Sequence, residues 1–481
     1  MNNFNTILGS WTPVIGVEIH LQLLTKTKMF SSCAWDYNES PNTLTCPLTM
    51  AYPGTLPIIN KEAVIKAVMV GKALNCDINN FSEFSRKHYF YPDLPKGYQI
   101  SQYDKPLCGK GFLEVDLDNS VHTINITRAH LEEDSGKMLH GADNISYIDY
   151  NRSGAPLIEI VTEPDFRSPE LVVAFLKKMK NQLEYIGVSD CDMEKGNLRV
   201  DLNVSVMKKN STNFGVRREV KNLNSFRSVD RAIRYEVEEQ VRMLTNNTEV
   251  QQSTLIWDEG KNETKVIRLK EDANDYRYFP EPDLPPLTLS DDMIKNILID
   301  MPELLDQKSK RFKEEYNINN EDLKFLISTK QISEYFEKAA KIFDQYSMII
   351  NWIRVYVMQI VNRDKIEIES FSVTPQRLVE ILELLSKNII TKESAKKVFD
   401  VMIDDNRKAS DIVKELGLNL SSDEDELESI IKRVFSDNPI ELERLQNGED
   451  KLIKFFMGLV MRQTKGKYPP KIIIDLLNKS I

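Results

Sequence analysis

Pro280-Glu281-Pro282-Asp283-Leu284-Pro285-Pro286-Leu287 places four prolines in eight residues. Proline lacks a backbone N–H and fixes φ, so this stretch can form neither a helix nor a central strand. It reads as an extended boundary, and the chain differs on its two sides. From Val14 to about Leu289 the sequence is strand-rich and broken by turn signals such as Tyr52-Pro53-Gly54 and Tyr91-Pro92-Asp93-Leu94-Pro95-Lys96-Gly97. Helices are expected there at about 61–74, with Ala63, Val64, Ala67, Val68 and Leu74 on an apolar face, at about 168–187, with Pro169 as first helical residue, and at about 229–244. Past the prolines the pattern turns helical. Thr374 caps a helix opening with Pro375 and carrying the stripe Leu378, Ile381, Leu382 and Leu385, and Thr391 starts another. The predicted class is α+β: a large α+β domain over 1–292, a helical domain over 293–410, and a small helical tail domain over 411–481.

A chain of 481 residues accommodates two to four domains, and 41% hydrophobic with 28% charged residues suits a soluble globular protein. No run of about 18 apolar residues exists, so no transmembrane helix is expected. The first ten residues lack a basic segment and an apolar core, so a cytoplasmic protein is predicted. Five scattered cysteines argue against a disulfide scaffold. A net charge of −10 argues against a general nucleic-acid binder. Residues 421–450 are acidic, starting with Asp423-Glu424-Asp425-Glu426. Residues 451–481 carry Lys451, Lys454, Arg462, Lys465, Lys467, Lys471 and Lys479 against Asp475. These runs are two solvated helix faces or, at the C-terminus, a patch for phosphates.

Chemistry concentrates in three stretches. Val14 to Leu23 alternates as a strand, with Ile15, Val17, Ile19 and Leu21 on one side and Gly16, Glu18, His20 and Gln22 on the other. Glu18 and His20 then share a face about 7 Å apart. They form a cation site, an acid/base pair, or simply a polar solvent face. Arg128 to Lys137 holds Glu132-Glu133-Asp134 before a glycine, and Pro156 to Val161 places Glu159 inside an apolar strand. A buried carboxylate needs a cation or a proton. Hard oxygen ligands with one imidazole fit Mg²⁺ better than zinc. No Walker A loop and no GxGxxG fingerprint exist, so a nucleotide would bind through metal and side chains. Ser85 to Asp93 and Asp275 to Pro280 interleave cations with aromatics, which suits base stacking or an aromatic core. Lys221 to Phe226 offers amide and ammonium donors in an expected loop. No nucleophile motif and no Gly/Ser-rich amidase stretch is found.

Val14–Leu23, Tyr52–Pro57, Arg86–Tyr103, His130–Lys137, Asn151–Asp165, Met193–Val206, Glu219–Phe226 and Asp275–Leu287 together resemble the B subunits (GatB family) of the aspartyl/glutamyl-tRNA(Asn/Gln) amidotransferases, over nearly the whole chain. The resemblance implies a catalytic cradle domain, a helical domain and a tRNA-binding tail. It implies a heterotrimer with an amidase partner, the A subunit, which releases ammonia from glutamine, and with a small C subunit. The B subunit would use ATP and Mg²⁺ to phosphorylate the side-chain carboxylate of Glu on tRNA(Gln) or Asp on tRNA(Asn), for amidation by ammonia arriving through an internal channel. Glu18, His20, Glu132, Glu133 and Glu159 fall in its metal-site motifs, the first four also as catalytic residues. Lys87, Tyr89, Arg152, Ser153 and Asn203 are implied as nucleotide or acceptor-end contacts. Zinc-containing members carry CxC and CxxC pairs. This chain keeps only Cys33 and Cys46 of those four, so no zinc is expected. The residues before Val14 have no assigned role.

Overall fold

The computed structural model describes residues 2–36, 38–141, 145–269, 276–420, 424–464 and 468–480. Asp275, Asp423, Lys465 and Lys467, singled out above, lie outside the described residues, as do the side chains of Glu424 and Asp425. The chain divides into two compact units, Met1–Leu305 and Asp306–Ile481.

The first unit is built on one sheet with eleven strands among the described residues: β1 (Trp11–Gln22), β2 (Ser85–His88), β3 (Tyr98–Ser101), β4 (Gly111–Leu117), β5 (Ser120–Glu133), β6 (Pro156–Thr162), β7 (Leu198–Lys208), β8 (Arg218–Leu223), β9 (Ser253–Asp258), β10 (Glu263–Leu269) and β11 (Phe279–Pro280). Their order is β10-β9-β8-β7-β1-β6-β5-β3-β2-β11, with β4 paired to β5. The chain-opening strand therefore lies in the middle, antiparallel to both β6 and β7. Its apolar residues Ile15, Val17, Ile19 and Leu21 are fully buried, and join Ile158, Ile160, Ala129 and Leu131 in the core. The helices Lys61–Ala73 and Pro169–Tyr185 contribute Ala63, Val64, Ala67, Val68, Phe175, Leu176 and Met179 to that core. Covering only one face leaves the alternate side chains of β1, β5, β6 and β7 to form a polar face, which is what the period of two demands.

The helix starts follow from capping. Asn60 accepts from the N–H groups of Glu62 and Ala63, and Ser168 accepts from Leu171 with Pro169 following it. The third predicted helix begins earlier than expected, at Phe226, because Ser225 caps it by accepting from Ser228 N–H. Lys221–Leu223, expected in a loop, ends strand β8. The proline-rich boundary is extended: Phe279–Pro280 lies on the sheet edge against Ser85 and Arg86, and Leu287–Thr288 pairs with Phe81–Ser82. The first unit continues past residue 292, because the helix Asp291–Ile299 and the turn after it add Ile294, Ile297, Leu298, Met301 and Leu304 to its core. The residues before Val14 also acquire a role. Asn2–Leu8 is a helix whose Phe4 is buried and lies under the Arg234 guanidinium, 4.9 Å from the ring centre.

The second unit is helical among its described residues and holds two separate apolar clusters, one over 312–413 and one over 427–477. Thr374 caps Pro375–Ser386 by accepting from Arg377 N–H, and Thr391 caps Lys392–Met402 by accepting from Ser394 N–H, as the sequence predicts. In the last cluster Phe456, Val460, Ile473 and Leu477 are inward, while Lys451, Lys454, Arg462, Lys471 and Lys479 are exposed. No described helix is long and apolar enough to cross a membrane.

Candidate metal centre

Strand register alone assembles the centre. His20 on β1 and His130 on β5 both stand directly opposite Glu159 on β6, so the three form a row across the sheet. Glu132 is two residues beyond His130 and falls on the same face. Among the described residues, His20, Glu132 and Glu159 form the one group of three such side chains whose ligand atoms all lie within 4.8 Å of one another. His20 Nε2 is 3.4 Å from Glu159 and 3.8 Å from Glu132. His130 Nε2 is 3.5 Å from Glu159 and 4.0 Å from Glu132.

The electrostatics are those of acids forced together in a dry place. Burial and the neighbouring Glu159 charge raise the Glu132 carboxyl above its usual range. Burial acts the same way on Glu159, but His130, His20 and Lys87 outweigh it and hold its carboxyl well below the usual range. Burial disfavours charge on His20, yet the hydrogen bond and charge of Glu159, with Glu132 and Asp201, raise it to about 9. Buried His130 goes the other way, to about 4, although Glu159 opposes that shift. Its Nδ1 and the Nε of Arg199 are buried without a hydrogen-bond partner among the described residues. Glu18, next along β1, is held by Asn203 Nδ2 at 2.7 Å, and burial and Glu159 raise its carboxyl.

Glu133, expected beside Glu132 in the metal set, is elsewhere. Neighbours on a strand face opposite ways. The β3–β5 pairing is confined to Ser101 and Glu132, and Glu133 fills the parting beyond it. Its carboxylate accepts from Ile100 N–H at 3.0 Å and from Lys96 Nζ, and its carbonyl accepts from Gln99 at 2.7 Å. Arg152 donates to the carbonyls of Ser135 (3.0 Å) and Gly136 (2.8 Å), and Ser153 is buried in the same turn. Asp134 takes Arg199 at 2.9 Å and Gln22 at 2.6 Å, and lies 3.6 Å from Arg152. Lys87 reaches the centre electrostatically and lies 4.9 Å from the Tyr276 ring centre. Tyr89 follows β2, its phenol raised by burial and by Asp93, Glu132 and Asp134. A cleft of about 400 Å³ lined by Lys137, Arg152, Lys195, Arg199 and Asn224 shares Arg199 with this face.

His130 and Arg199 are not among the residues expected from sequence. The spacing of His130 to Glu132 repeats that of Glu18 to His20, which is the signal that points to it. Arg199 has no such signal, since only the β1–β7 register puts it opposite His20.

Two buried carboxylates and a partly exposed imidazole, converging, suit a hard divalent cation such as Mg²⁺. The positions of a four-cysteine zinc site do not suit zinc. Ser31, Cys33, Cys46 and Thr49 come together, with Ser31 Oγ 3.6 Å and Thr49 Oγ1 3.2 Å from Cys46 Sγ. They offer only two thiols, where a structural zinc takes four sulfur, nitrogen or carboxylate ligands.

Residues 13–295 match the GatB/GatE catalytic domain, and residues 334–481 match the GatB domain. The aspartyl/glutamyl-tRNA(Asn/Gln) amidotransferase B subunit of Thermodesulfovibrio yellowstonii is 47% identical over 466 residues, covering 97% of this chain and 98% of its own. The B subunits of Thermoanaerobacter pseudethanolicus and Persephonella marina are 46% and 43% identical over 468 residues, with the same coverage of both chains. With its sheet, its boundary and nearly its whole length accounted for, the chain belongs to the B-subunit family of the aspartyl/glutamyl-tRNA(Asn/Gln) amidotransferases.

Proposed function

We propose that this chain is the ATP- and Mg²⁺-dependent kinase and transamidase component of a tRNA-dependent amidotransferase, converting Glu on tRNA(Gln), Asp on tRNA(Asn), or both, to the amide. The observation that carries the reading is the convergence of His20, Glu132 and Glu159 on one polar face, the two carboxylates buried and the imidazole partly exposed. A carboxylate resists ammonia because its oxide is a poor leaving group. Phosphorylation replaces that group with phosphate: the side-chain oxygen bonds the γ-phosphorus of ATP as the bond to ADP breaks, and ammonia then displaces phosphate at the carbonyl carbon.

His20, Glu132 and Glu159 would hold Mg²⁺, with Glu18 near enough to ligate through water. The ion would supply charge neutralisation on the transferred phosphoryl group. Lys87 adds positive charge to the same face, and Lys221, paired with Asp201 and Glu219 at 2.7 Å each, extends the polar face toward β8. Arg152 and Arg199, lining the cleft, and Ser153, buried in the turn beside Arg152, are suited to phosphates and ribose of the acceptor end. Ammonia would come through an internal channel from the amidase A subunit, with a small C subunit to complete the heterotrimer. The exposed lysines of 451–479 would hold the tRNA body.

The test is ATP consumption by the reconstituted three-component complex with misacylated tRNA. Turnover that needs both Mg²⁺ and Glu-tRNA(Gln) or Asp-tRNA(Asn) supports the kinase step and identifies the substrate. ATP turnover indifferent to misacylated tRNA would overturn it and leave a tRNA-binding scaffold.

A further inference from the structure

Away from the carboxylate face, the segment 31–49 brings two thiols together. Cys46 Sγ meets Thr49 Oγ1 at 3.2 Å, Thr49 N–H at 3.5 Å and Ser31 Oγ at 3.6 Å. Cys33 joins the cluster through the same Ser31 Oγ, which accepts from its N–H at 3.4 Å, while its own thiol meets the Ala34 carbonyl at 3.4 Å. Behind them lies Lys28, almost wholly buried, donating to the Tyr150 carbonyl at 3.2 Å and close enough to both sulfurs to feel their charge. Three hydrogen-bonding groups and a buried ammonium around one sulfur favour its thiolate. The Cys46 thiol is lowered accordingly, although burial opposes it. The other cysteines are differently placed. Cys76 and Cys108 direct their thiols at the carbonyls of Leu74 (3.8 Å) and Ala67 (3.5 Å), and burial pushes Cys76 and Cys191 up to about 12.

We propose that Cys46 and Cys33 form a hydroperoxide-sensitive thiol–disulfide pair, with Cys46 the attacking sulfur and Cys33 the resolving one. The Cys46 thiolate attacks one oxygen of a hydroperoxide. The O–O bond breaks, the distal oxygen leaves as an alcohol or water after taking a proton, and Cys46 becomes a sulfenic acid. The Cys33 sulfur then attacks the Cys46 sulfur, and the sulfenic oxygen leaves as water with the Cys33 proton. Two thiols and one hydroperoxide give one disulfide, one water and one alcohol or second water, and a dithiol reverses the change. The bridge ties together the ends of a loop whose Asn42 and Leu44 hydrogen-bond Ile148, Asp149, Tyr150 and Asn151, immediately before Arg152. Oxidation thus bears on the turn that carries Arg152 and Ser153.

The test uses the full native chain, iodoacetamide labelling at neutral pH, and peptide mapping after hydrogen peroxide. Cys46 is expected to alkylate fastest of the five cysteines. Peroxide is expected to give a Cys33–Cys46 cross-linked peptide that dithiothreitol reverses, with Cys76, Cys108 and Cys191 unmodified. Cys33→Ser should stop at a dimedone-trapped sulfenic acid on Cys46, and Cys46→Ser should leave Cys33 reduced. Thr49→Val and Ser31→Ala, which keep both thiols, should slow Cys46 alkylation several-fold. Cys46 labelling no faster than Cys46 in the denatured chain, or both thiols surviving peroxide, would overturn the proposal.

Discussion

Glu132 and Glu133 are adjacent, chemically identical and both buried, yet the fold treats them oppositely. Glu133 is satisfied: an ammonium, a backbone N–H and a side-chain amide meet its carboxylate and carbonyl. Glu132 accepts from Ser101 Oγ at 3.3 Å, but burial and the facing Glu159 carboxylate both disfavour its charge. A carboxylate surrounded by donors is part of the framework. One held against its own charge would be relieved by the Mg²⁺ proposed to bind there. One residue of register thus separates a carboxylate of the framework from one on the polar face.

Replacing each in turn should give opposite phenotypes. Glu132→Gln or Glu159→Gln should lower tRNA-dependent ATP turnover of the complex by at least about 10²-fold, because the phosphoryl charge loses its counter-ion. Glu132→Gln should also leave thermal stability unchanged or raised, since it removes a repelled buried charge. A Glu132→Gln chain that melts early would assign Glu132 to the framework. Glu133→Gln should act in reverse, destabilising by about 3 kcal/mol through the uncompensated Lys96 ammonium, as urea unfolding would measure.

Asp134 sharpens the framework side. Arg199, Arg152 and Gln22 outweigh burial and hold its carboxyl below the usual range. A depressed folded-state pKa contributes stability above the unfolded value of about 3.9 that is lost as pH falls through the folded value. Asp134→Asn should therefore destabilise the chain at neutral pH and flatten the loss of stability below about pH 4, read from unfolding midpoints across pH.

The smallest effects belong to the tail. Lys454→Ala, Arg462→Ala, Lys471→Ala and Lys479→Ala should each weaken tRNA binding modestly and reduce the slope of log affinity against log salt by about 0.7–0.9 where the residue meets a phosphate. Glutaminase activity of the complex should stay the same. An unchanged salt slope in the fourfold variant would remove this patch from the account.

Much of this was legible in the sequence, for identifiable reasons. The alternation of Val14–Leu23 defines a strand with Glu18 and His20 on one face, and Ser168-Pro169, Thr374-Pro375 and Thr391 declare their helices through capping. The proline cluster marks where the sheet's last extended segment runs. What local pattern cannot convey is which strands become neighbours. The pairing of His20 with both Glu159 and Arg199, and of Glu159 with His130, depends on register between separate segments, those around His20 and Glu159 lying more than a hundred residues apart. Glu133 departs from expectation for a related reason: its surroundings are set by where the β3–β5 ladder parts. The helix Asn2–Leu8 carries little signal because its core contact, Phe4, is followed within the element only by Ile7 and Leu8 as further apolar anchors.

Binding of a divalent cation by His20, Glu132 and Glu159 is best read from a Mn²⁺ titration of the purified chain followed by electron paramagnetic resonance, with Mg²⁺ as competitor. The account predicts one Mg²⁺-displaceable Mn²⁺ site in the unaltered chain, absent from a folded Glu159→Gln chain. A Glu159→Gln chain that binds Mn²⁺ with unaltered stoichiometry and affinity would contradict it.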